Sequence, residues 1–170
     1  MRLHHAITLL ALSSATALAQ MPPAAGARPP ATPARGPSME LALEAAQTAV
    51  NLCHSQGHDV SIVVADSAGG IKVALVPDSK VSATATRALS KIALALEFKQ
   101  NSADVVALAK TDKAVADKIA ANSSFFASPG AVLIKVGDEI IGAIAGSGGK
   151  PDEDAACAQA GLDKVQARVK

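Results

Sequence analysis

The pattern of apolar and polar positions predicts a helix followed by a β-hairpin as the first folded elements. Apolar residues recur at helical spacing after Ser38, whose side chain can cap a helix, and Gly57 is of the type that ends one. The β-rich runs 60–65 and 71–76 flank a glycine-containing turn at 66–70. Two such runs joined by a short turn are typical of a hairpin.

The remainder of the chain is predicted to form four more helices and a second hairpin. These elements are a helix over 82–99, shorter helices capped by Ser102 and Thr111 and ending by Asn122, strands over 131–136 and 139–145, and a last helix over 151–169. The order α-β-β-α-α-α-β-β-α predicts the α/β (α+β) class, with an antiparallel sheet of four to five strands flanked by helices.

The helix predicted over 82–99 is apolar on two sides. The stripe that is expected to face the sheet comprises Leu89, Ile92, Ala93 and Leu96. The opposite side adds two cations to its apolar residues and comprises Thr84, Arg87, Lys91, Leu94, Ala95 and Phe98. Because a helix that is apolar on two sides is covered on two sides, the second side predicts a subunit interface or a ligand pocket, and the two are compatible.

The N-terminal segment has the features of an export signal followed by a linker. Residues 1–19 combine a positive start, a short apolar stretch and small residues at the end, which predicts a signal peptide cleaved near Ala19/Gln20. Residues 20–37 hold six of the nine prolines and are expected to form a Pro/Ala-rich linker. The folded domain is therefore expected over 38–170, in a periplasmic or secreted protein.

Composition and charge exclude two classes of partner. The sequence has no Trp or Tyr and only three Phe residues, which are too few for base stacking. Three of its 16 basic residues precede Ser38, so 13 basic and 15 acidic residues remain, without the clustered positive surface that nucleic acid requires. No run after the signal peptide approaches the roughly 20 apolar residues of a membrane span. A flat apolar ligand would have to contact Phe98, Phe125 or Phe126.

The two cysteines of the predicted domain are expected to pair. Cys53 falls late in the first helix and Cys157 early in the last, and antiparallel packing of these helices would bring the two side chains together. Export favours the disulfide, which would close a loop of about 100 residues and contribute roughly 4–5 kcal/mol by chain entropy. The alternative is a pair of buried free thiols.

His54 and His58 are the histidines of the predicted domain, and with Cys53 they form the pattern Cys-His-x-x-x-His. Gly57 interrupts the helix between them, and a cysteine in a disulfide cannot ligate zinc, so a four-ligand zinc site is not expected. One histidine suffices as an axial ligand of haem, and His54 is the candidate. Alternatively, the histidines stabilise the helix C terminus as cations.

The glycine-rich loop before the last helix is the remaining candidate for chemistry. Backbone amides of Gly146, Ser147, Gly148 and Gly149 can cradle a carboxylate, although the acidic residues 152–154 already complement the helix dipole. The alternative is a sharp structural turn. The loop is not a P-loop, and no Gly-x-Ser-x-Gly elbow is present, so the motifs supply no clear nucleophile.

Several stretches resemble the GlcG/HbpS-type haem-binding family, whose domain is also fused to PduO-type cobalamin adenosyltransferases. They are Leu41–Ala46, Val63–Gly70, Ser90-Lys91 with Phe98, and Ile141–Gly149 continued by Pro151–Leu162. The resemblance covers about residues 39–162 and implies an α/β domain with an antiparallel sheet, commonly assembled into oligomers. It also implies an association with haem binding and, in some members, with haem degradation or redox sensing.

The predicted function is that of an exported small-ligand-binding protein, with haem or a related tetrapyrrole as the ligand. Lys91 or Arg87 and the 146–149 loop would meet its carboxylates, Phe98 or Phe125 its ring, and His54 its iron. The alternatives are a non-catalytic, homo-oligomeric interaction module and, from the family alone, an accessory protein of small 2-hydroxy acid (glycolate-type) metabolism. The sequence does not favour an enzyme.

Overall fold

A computed structural model describes residues 34–170, and its elements follow the predicted order. The predicted signal peptide, residues 1–19, and most of the linker lie outside the described residues. The elements are α1 (Met39–Ser55), β1 (Ser61–Asp66), β2 (Ile71–Leu75), α2 (Ser82–Phe98), α3 (Ser102–Leu108), α4 (Lys113–Ala120), β3 (Ala131–Val136), β4 (Glu139–Ser147), α5 (Pro151–Val165) and a 3₁₀ turn (Gln166–Arg168). Between residues 34 and 170, no helix combines the length and apolarity needed to cross a membrane.

The four strands form one antiparallel sheet in the order β2-β1-β4-β3. The central strands β1 and β4 pair along their length, with Val63 opposite Ala145 and Ile62 opposite Gly146. Both strands are buried almost continuously, because helices cover both faces of the sheet. The fold class predicted from the sequence is therefore confirmed, with four strands.

Alanine-rich helices allow a close approach on one face of the sheet. There α1 and α5 pack against each other and against alternate strand residues such as Ile62, Val64 and Ile144. At Gly161 of α5 a Cβ atom would collide with the backbone carbonyl of Ala45 on α1, so a glycine is required at this crossing. The small side chains thus set the short distance between the two helices.

The other face of the sheet is covered by α2. Its residues Ala88, Ile92 and Ala95 pack against the strand residues that point away from α1 and α5, among them Val63 and Ala143. The sheet is therefore a central layer with α1 and α5 on one side and α2 on the other.

The caps of the two short helices differ from the predicted ones. Asn101 rather than Ser102 precedes α3, and Asp112 rather than Thr111 caps α4, where its carboxylate accepts bonds from the N–H groups of residues 114 and 115. Ser102 and Asn101 instead accept hydrogen bonds from Ala131 N (2.9 Å) and Leu133 N (3.0 Å). Both side chains bind β3 because it is an edge strand whose outer N–H groups need hydrogen-bond acceptors.

Candidate functional site

A surface groove beside α2 is the candidate ligand site, and we call it the α2 groove. It consists of two adjoining depressions of about 410 and 280 Å³, close to the size range of small-molecule sites. Its walls come from the β1–β2 turn, the outer face of α2 and the loop after α4. The lining residues are Ser67, Ala68, Gly69, Leu89, Ser90, Ala93, Leu96, Glu97, Asn122, Ser124 and Phe125.

The outer face of α2 supplies the apolar wall of the groove. Leu89, Ala93 and Leu96 are half-buried and line it. Leu89 and Leu96 also pack against the core between α2 and the sheet, to which the buried Ile92 belongs, so the prediction that this stripe faces the sheet is confirmed except at Ala93. The buried residues of α2 also include Ala88 and Ala95 together with a charged residue, Lys91. Hydropathy did not predict the burial of Lys91, because an internal ion pair with Asp154 brings that charge inside.

An aspartate turn shapes the opposite wall. Asp66, at the end of β1, accepts hydrogen bonds from the N–H groups of Ala68 (3.0 Å) and Gly70 (2.8 Å) through one carboxylate oxygen. Gly69 has φ of +80°, which glycine adopts without strain. The turn thereby presents a smooth, small-residue surface at residues 67–69 opposite α2.

Phe125 is the aromatic residue that lines the groove. Phe98 packs edge-on against it, with ring centroids 6.2 Å apart, and so supports it without lining the groove. Lys118 Nζ lies 5.0 Å from the Phe98 ring centroid and 2.5 Å from a carboxylate oxygen of Glu97. Lys118, which the sequence did not single out, therefore stands at the edge of the groove, beside the lining residue Glu97.

Lys91 is not directed to the groove. Its side chain is 1% exposed, and Nζ donates hydrogen bonds to Asp154 Oδ2 (2.7 Å) and to the carbonyl of Gly146 (3.0 Å). Burial lowers the pKa of Lys91, while the bond to Asp154 opposes that shift. The ammonium already has an internal partner, so the predicted contact of Lys91 with a ligand carboxylate would require that ion pair to break. Arg87, the second expected cation, is exposed and does not line the groove.

The glycine-rich loop at residues 146–149 makes internal hydrogen bonds through the amides of Gly146 and Gly149. Gly149 N donates to Asp154 Oδ1 (2.9 Å), and Lys150 N donates to Glu153 Oε2 (2.9 Å). Gly146 N is bonded to the carbonyl of Gly130, and Ser147 is buried in β4. Because the amides of Gly146 and Gly149 are occupied, the loop acts as a structural turn at these two positions. Contact of a ligand carboxylate with Gly146, Ser147, Gly148 and Gly149 stays a prediction.

His54 lies far from the α2 groove. It is exposed at the end of α1, and its Nδ1 is 2.8 Å from Asp59 Oδ1. Asp59 precedes β1, whereas the groove adjoins the other end of this six-residue strand, about 17 Å away at 3.3 Å per residue. His54 therefore cannot ligate a metal held in the α2 groove, and its role as an axial ligand of haem stays a prediction.

Asp59 accepts two hydrogen bonds at this end of the sheet. Ser79 Oγ donates to Asp59 Oδ2 (2.5 Å), and His54 contacts the other oxygen. The bond from Ser79, followed by that from His54, lowers the pKa of Asp59 below its usual value.

The cysteines lie as the sequence analysis expected. Cys53 of α1 and Cys157 of α5 form a disulfide with their Cα atoms 5.9 Å apart, and both residues are fully buried. The bond ties the two helices that the alanine-rich interface brings together.

Another depression, on the outer face of α1, is less suited to an anionic ligand. It is lined by Glu40, Leu43, Glu44, Gln47, Thr48 and Asn51. Two carboxylates at its wall would repel a ligand that carries carboxylates of its own.

The fold is shared with several solved structures. A double mutant of HbpS from Streptomyces reticuli is 22% identical with a TM-score of 0.70, over 86% of this chain and 98% of that one. A Klebsiella pneumoniae protein, ORFY, is 18% identical with a TM-score of 0.70, over 79% and 93% of the two chains. A structure described as a PduOC:heme complex is 16% identical with a TM-score of 0.65, over 74% and 92%.

Sequence comparison assigns the family independently of these structures. No curated protein is significantly similar to the chain. The family described as "Haem degrading protein HbpS-like" matches residues 38–163, which is nearly all of the domain that the structure describes. The chain therefore belongs to the HbpS-like family of haem-degrading proteins.

Proposed function

We propose that this protein binds haem or a related tetrapyrrole in the α2 groove. Membership of the HbpS-like family supports a haem-associated role. The observation that carries the proposal is the half-buried apolar wall of Leu89, Ala93 and Leu96 on α2, which lines the groove together with Phe125. A flat apolar ring gains most from such a wall, because it buries area on both partners.

The polar residues of the groove suit the rim of such a ligand. Ser67, Asn122 and Ser124 offer hydrogen-bonding groups, and Lys118 beside Glu97 offers a cation for a ligand carboxylate. The lining contains no histidine, cysteine or methionine, so we propose that contacts with the ring, rather than a side chain on the metal, supply most of the affinity. When bound, haem would supply a redox-active iron.

We further propose that the protein acts after export, in the periplasm or outside the cell. The predicted signal peptide of residues 1–19 motivates this, and the buried disulfide between α1 and α5 supports it, because such bonds persist in oxidising compartments. Mass spectrometry of the protein recovered from its native host should give a mature N terminus at Gln20. Recovery of the chain with Met1 would contradict export.

Titration of haemin into the purified protein tests the proposed ligand. We expect a saturable Soret shift at micromolar haemin. Ala93→Glu places a carboxylate in the groove and should weaken binding at least tenfold. Ala83→Glu, on an exposed position of the first turn of α2, is the matched control and should change the affinity less than twofold.

Two results would contradict the proposal. An absence of any saturable Soret shift would exclude haem as the ligand. Equal affinities of the Ala93→Glu and Ala83→Glu variants would place the ligand somewhere other than the α2 groove.

The same apolar wall also supports a second candidate, a homo-oligomeric interaction module. In that case a second copy of the chain would cover Leu89, Ala93 and Leu96, which the single chain leaves half-buried. Sedimentation velocity distinguishes the two candidates. An oligomer that dissociates in Ala93→Glu without haemin present favours the interface, whereas an unchanged size favours the ligand.

A further inference from the structure

His58 packs against the buried disulfide that joins α1 to α5. One of its ring nitrogens and the sulfurs of Cys53 and Cys157 all lie within 4.8 Å of one another. Nε2 of His58 is buried and has no hydrogen-bond partner among residues 34–170. A buried polar atom without a partner is uncommon and calls for an explanation, and the two sulfurs lie beside the same imidazole ring.

The backbone places His58, and not His54, beside the cysteines. Gly57 adopts φ of +83° after α1 and turns the chain back, so that His58 N donates to the carbonyl of Cys53 (3.1 Å). His54 follows Cys53 directly, yet its side chain is 78% exposed and contacts Asp59. The residue five positions after the cysteine therefore shares its site, while the adjacent residue does not.

We propose that, when the disulfide is reduced, Cys53, Cys157 and His58 bind a thiophilic divalent cation of the zinc class. Two thiolates and one imidazole are ligands that zinc prefers, and water can take the fourth position of the tetrahedron. The ligand would be Nε2, which would thereby gain the partner it lacks. This inference is independent of the proposed haem function.

The distances allow the exchange of one cross-link for the other. Zinc–sulfur bonds of about 2.3 Å in a tetrahedron hold two sulfurs about 3.8 Å apart. The three ligand atoms already lie within 4.8 Å, and the Cα atoms of the cysteines are 5.9 Å apart. Side-chain rotations that move each sulfur by about an ångström are therefore sufficient, and α1 and α5 remain cross-linked in both states.

The disulfide is reduced by a dithiol reductant. It transfers two electrons and two protons to the bond between Cys53 and Cys157, giving two thiols and its own cyclic disulfide. Cation binding then releases the two thiol protons. In reoxidation an external disulfide accepts two electrons from the thiolates and two protons from water, leaves as a dithiol and re-forms the bond between Cys53 and Cys157, which expels the cation. Because both cysteines are fully buried, the reductant acts when the contact between α1 and α5 opens, or the cation binds before the disulfide first forms.

Cobalt titration of the reduced protein tests the proposal. The tag-free exported protein is reduced with a phosphine, freed of reductant under argon and shown to contain two free thiols. We expect one equivalent of Co²⁺ to give a thiolate–cobalt charge-transfer band in the near ultraviolet, which Zn²⁺ abolishes. The oxidised protein and Cys53→Ser should show no such band.

Matched histidine variants separate this site from adventitious binding. His58→Asn should weaken Co²⁺ binding at least tenfold, whereas His54→Asn, four residues earlier and exposed, should change it less than twofold. Circular dichroism follows the fold throughout, and if reduction unfolds the chain, Zn²⁺ should restore the helical spectrum.

Four results would overturn the proposal. They are the absence of a charge-transfer band from protein with two free thiols, a band of equal strength in Cys53→Ser, equal affinities of the two histidine variants, and failure of Zn²⁺ to restore an unfolded reduced chain.

Discussion

The ammonium of Lys91 lies 2.7 Å from a carboxylate oxygen of Asp154, and both side chains are almost completely buried, at 1% and 4% exposure. The pair joins α2 on one face of the sheet to α5 on the other, past the end of β4, where Gly146 accepts a further bond from the ammonium. Gly130 and Gly146 leave room for the ion pair. A Cβ atom at Gly146, for example, would lie 2.6 Å from the backbone carbonyl of Asp154. The ion pair therefore couples the two helical layers.

Replacing Lys91 by Met should destabilise the protein strongly. The carboxylate of Asp154 would remain buried with the N–H of Gly149 as its remaining partner, and breaking a buried pair in this way costs about 3–5 kcal/mol. The free energy of unfolding from urea titration measures the loss.

Lys113→Met is the matched control for that variant. Lys113 pairs with Asp117 on the surface, with 85% and 65% of their side chains exposed, and such pairs contribute under about 1 kcal/mol. The double variant Lys91→Met/Asp154→Leu should be less destabilised than Lys91→Met alone, because it removes both charges. Similar losses for Lys91→Met and Lys113→Met would refute the role of the buried pair.

Acid should weaken the protein partly through Asp59. Its pKa is lowered in the folded state by the hydrogen bonds from Ser79 and His54, so its contribution to stability is present above the unfolded value of 3.8 and is lost as the pH falls through the folded value. Urea midpoints between pH 7 and pH 2 should decline less steeply in Ser79→Ala than in the unaltered protein. Parallel declines would show that Ser79 does not set this dependence.

Gly161→Ala should be destabilising, although alanine favours a helix more than glycine does. The added Cβ would meet the carbonyl of Ala45, and the forced separation of α1 from α5 should cost about 1–3 kcal/mol. Ala156→Gly, at an exposed position of the same helix, measures helix propensity alone and should cost up to about 1 kcal/mol. Chemical unfolding compares the two, and a gain of stability in Gly161→Ala would contradict the close approach.

Removal of the disulfide should lower stability by about 4–5 kcal/mol in the chain-entropy estimate, since the bond closes a loop across 104 residues. The double variant Cys53→Ala/Cys157→Ala, unfolded in urea without added metal, measures this. A loss below about 1 kcal/mol would contradict the chain-entropy estimate.

Phe125→Ala should weaken haemin binding about tenfold, because the ring lines the α2 groove. Phe126→Ala is the matched control: that ring lies 5.9 Å from Lys91 Nζ, outside the groove lining, and its removal should leave the Soret titration unchanged. A larger effect of Phe126→Ala would place the ring of the ligand on the other side of the 122–126 loop.

The order of the elements, the two hairpins and the proximity of Cys53 to Cys157 could be predicted from the sequence. Periodicity, turn residues and caps act over a few positions, and those local preferences agree with the fold along most of the chain. The family resemblance, carried by stretches such as Ile141–Gly149, was also contained in the sequence, and the match over residues 38–163 confirms it.

Only the tertiary structure decided which side of α2 is covered and which histidine meets the cysteines. Lys91 has a charged side chain yet lies in the interior, because the carboxylate of Asp154, 63 residues later in the chain, neutralises that charge. His58 reaches the disulfide because a left-handed glycine turns the chain back beside α5. Both outcomes depend on partners that are distant in sequence, and a one-dimensional pattern of hydropathy carries no record of such pairings.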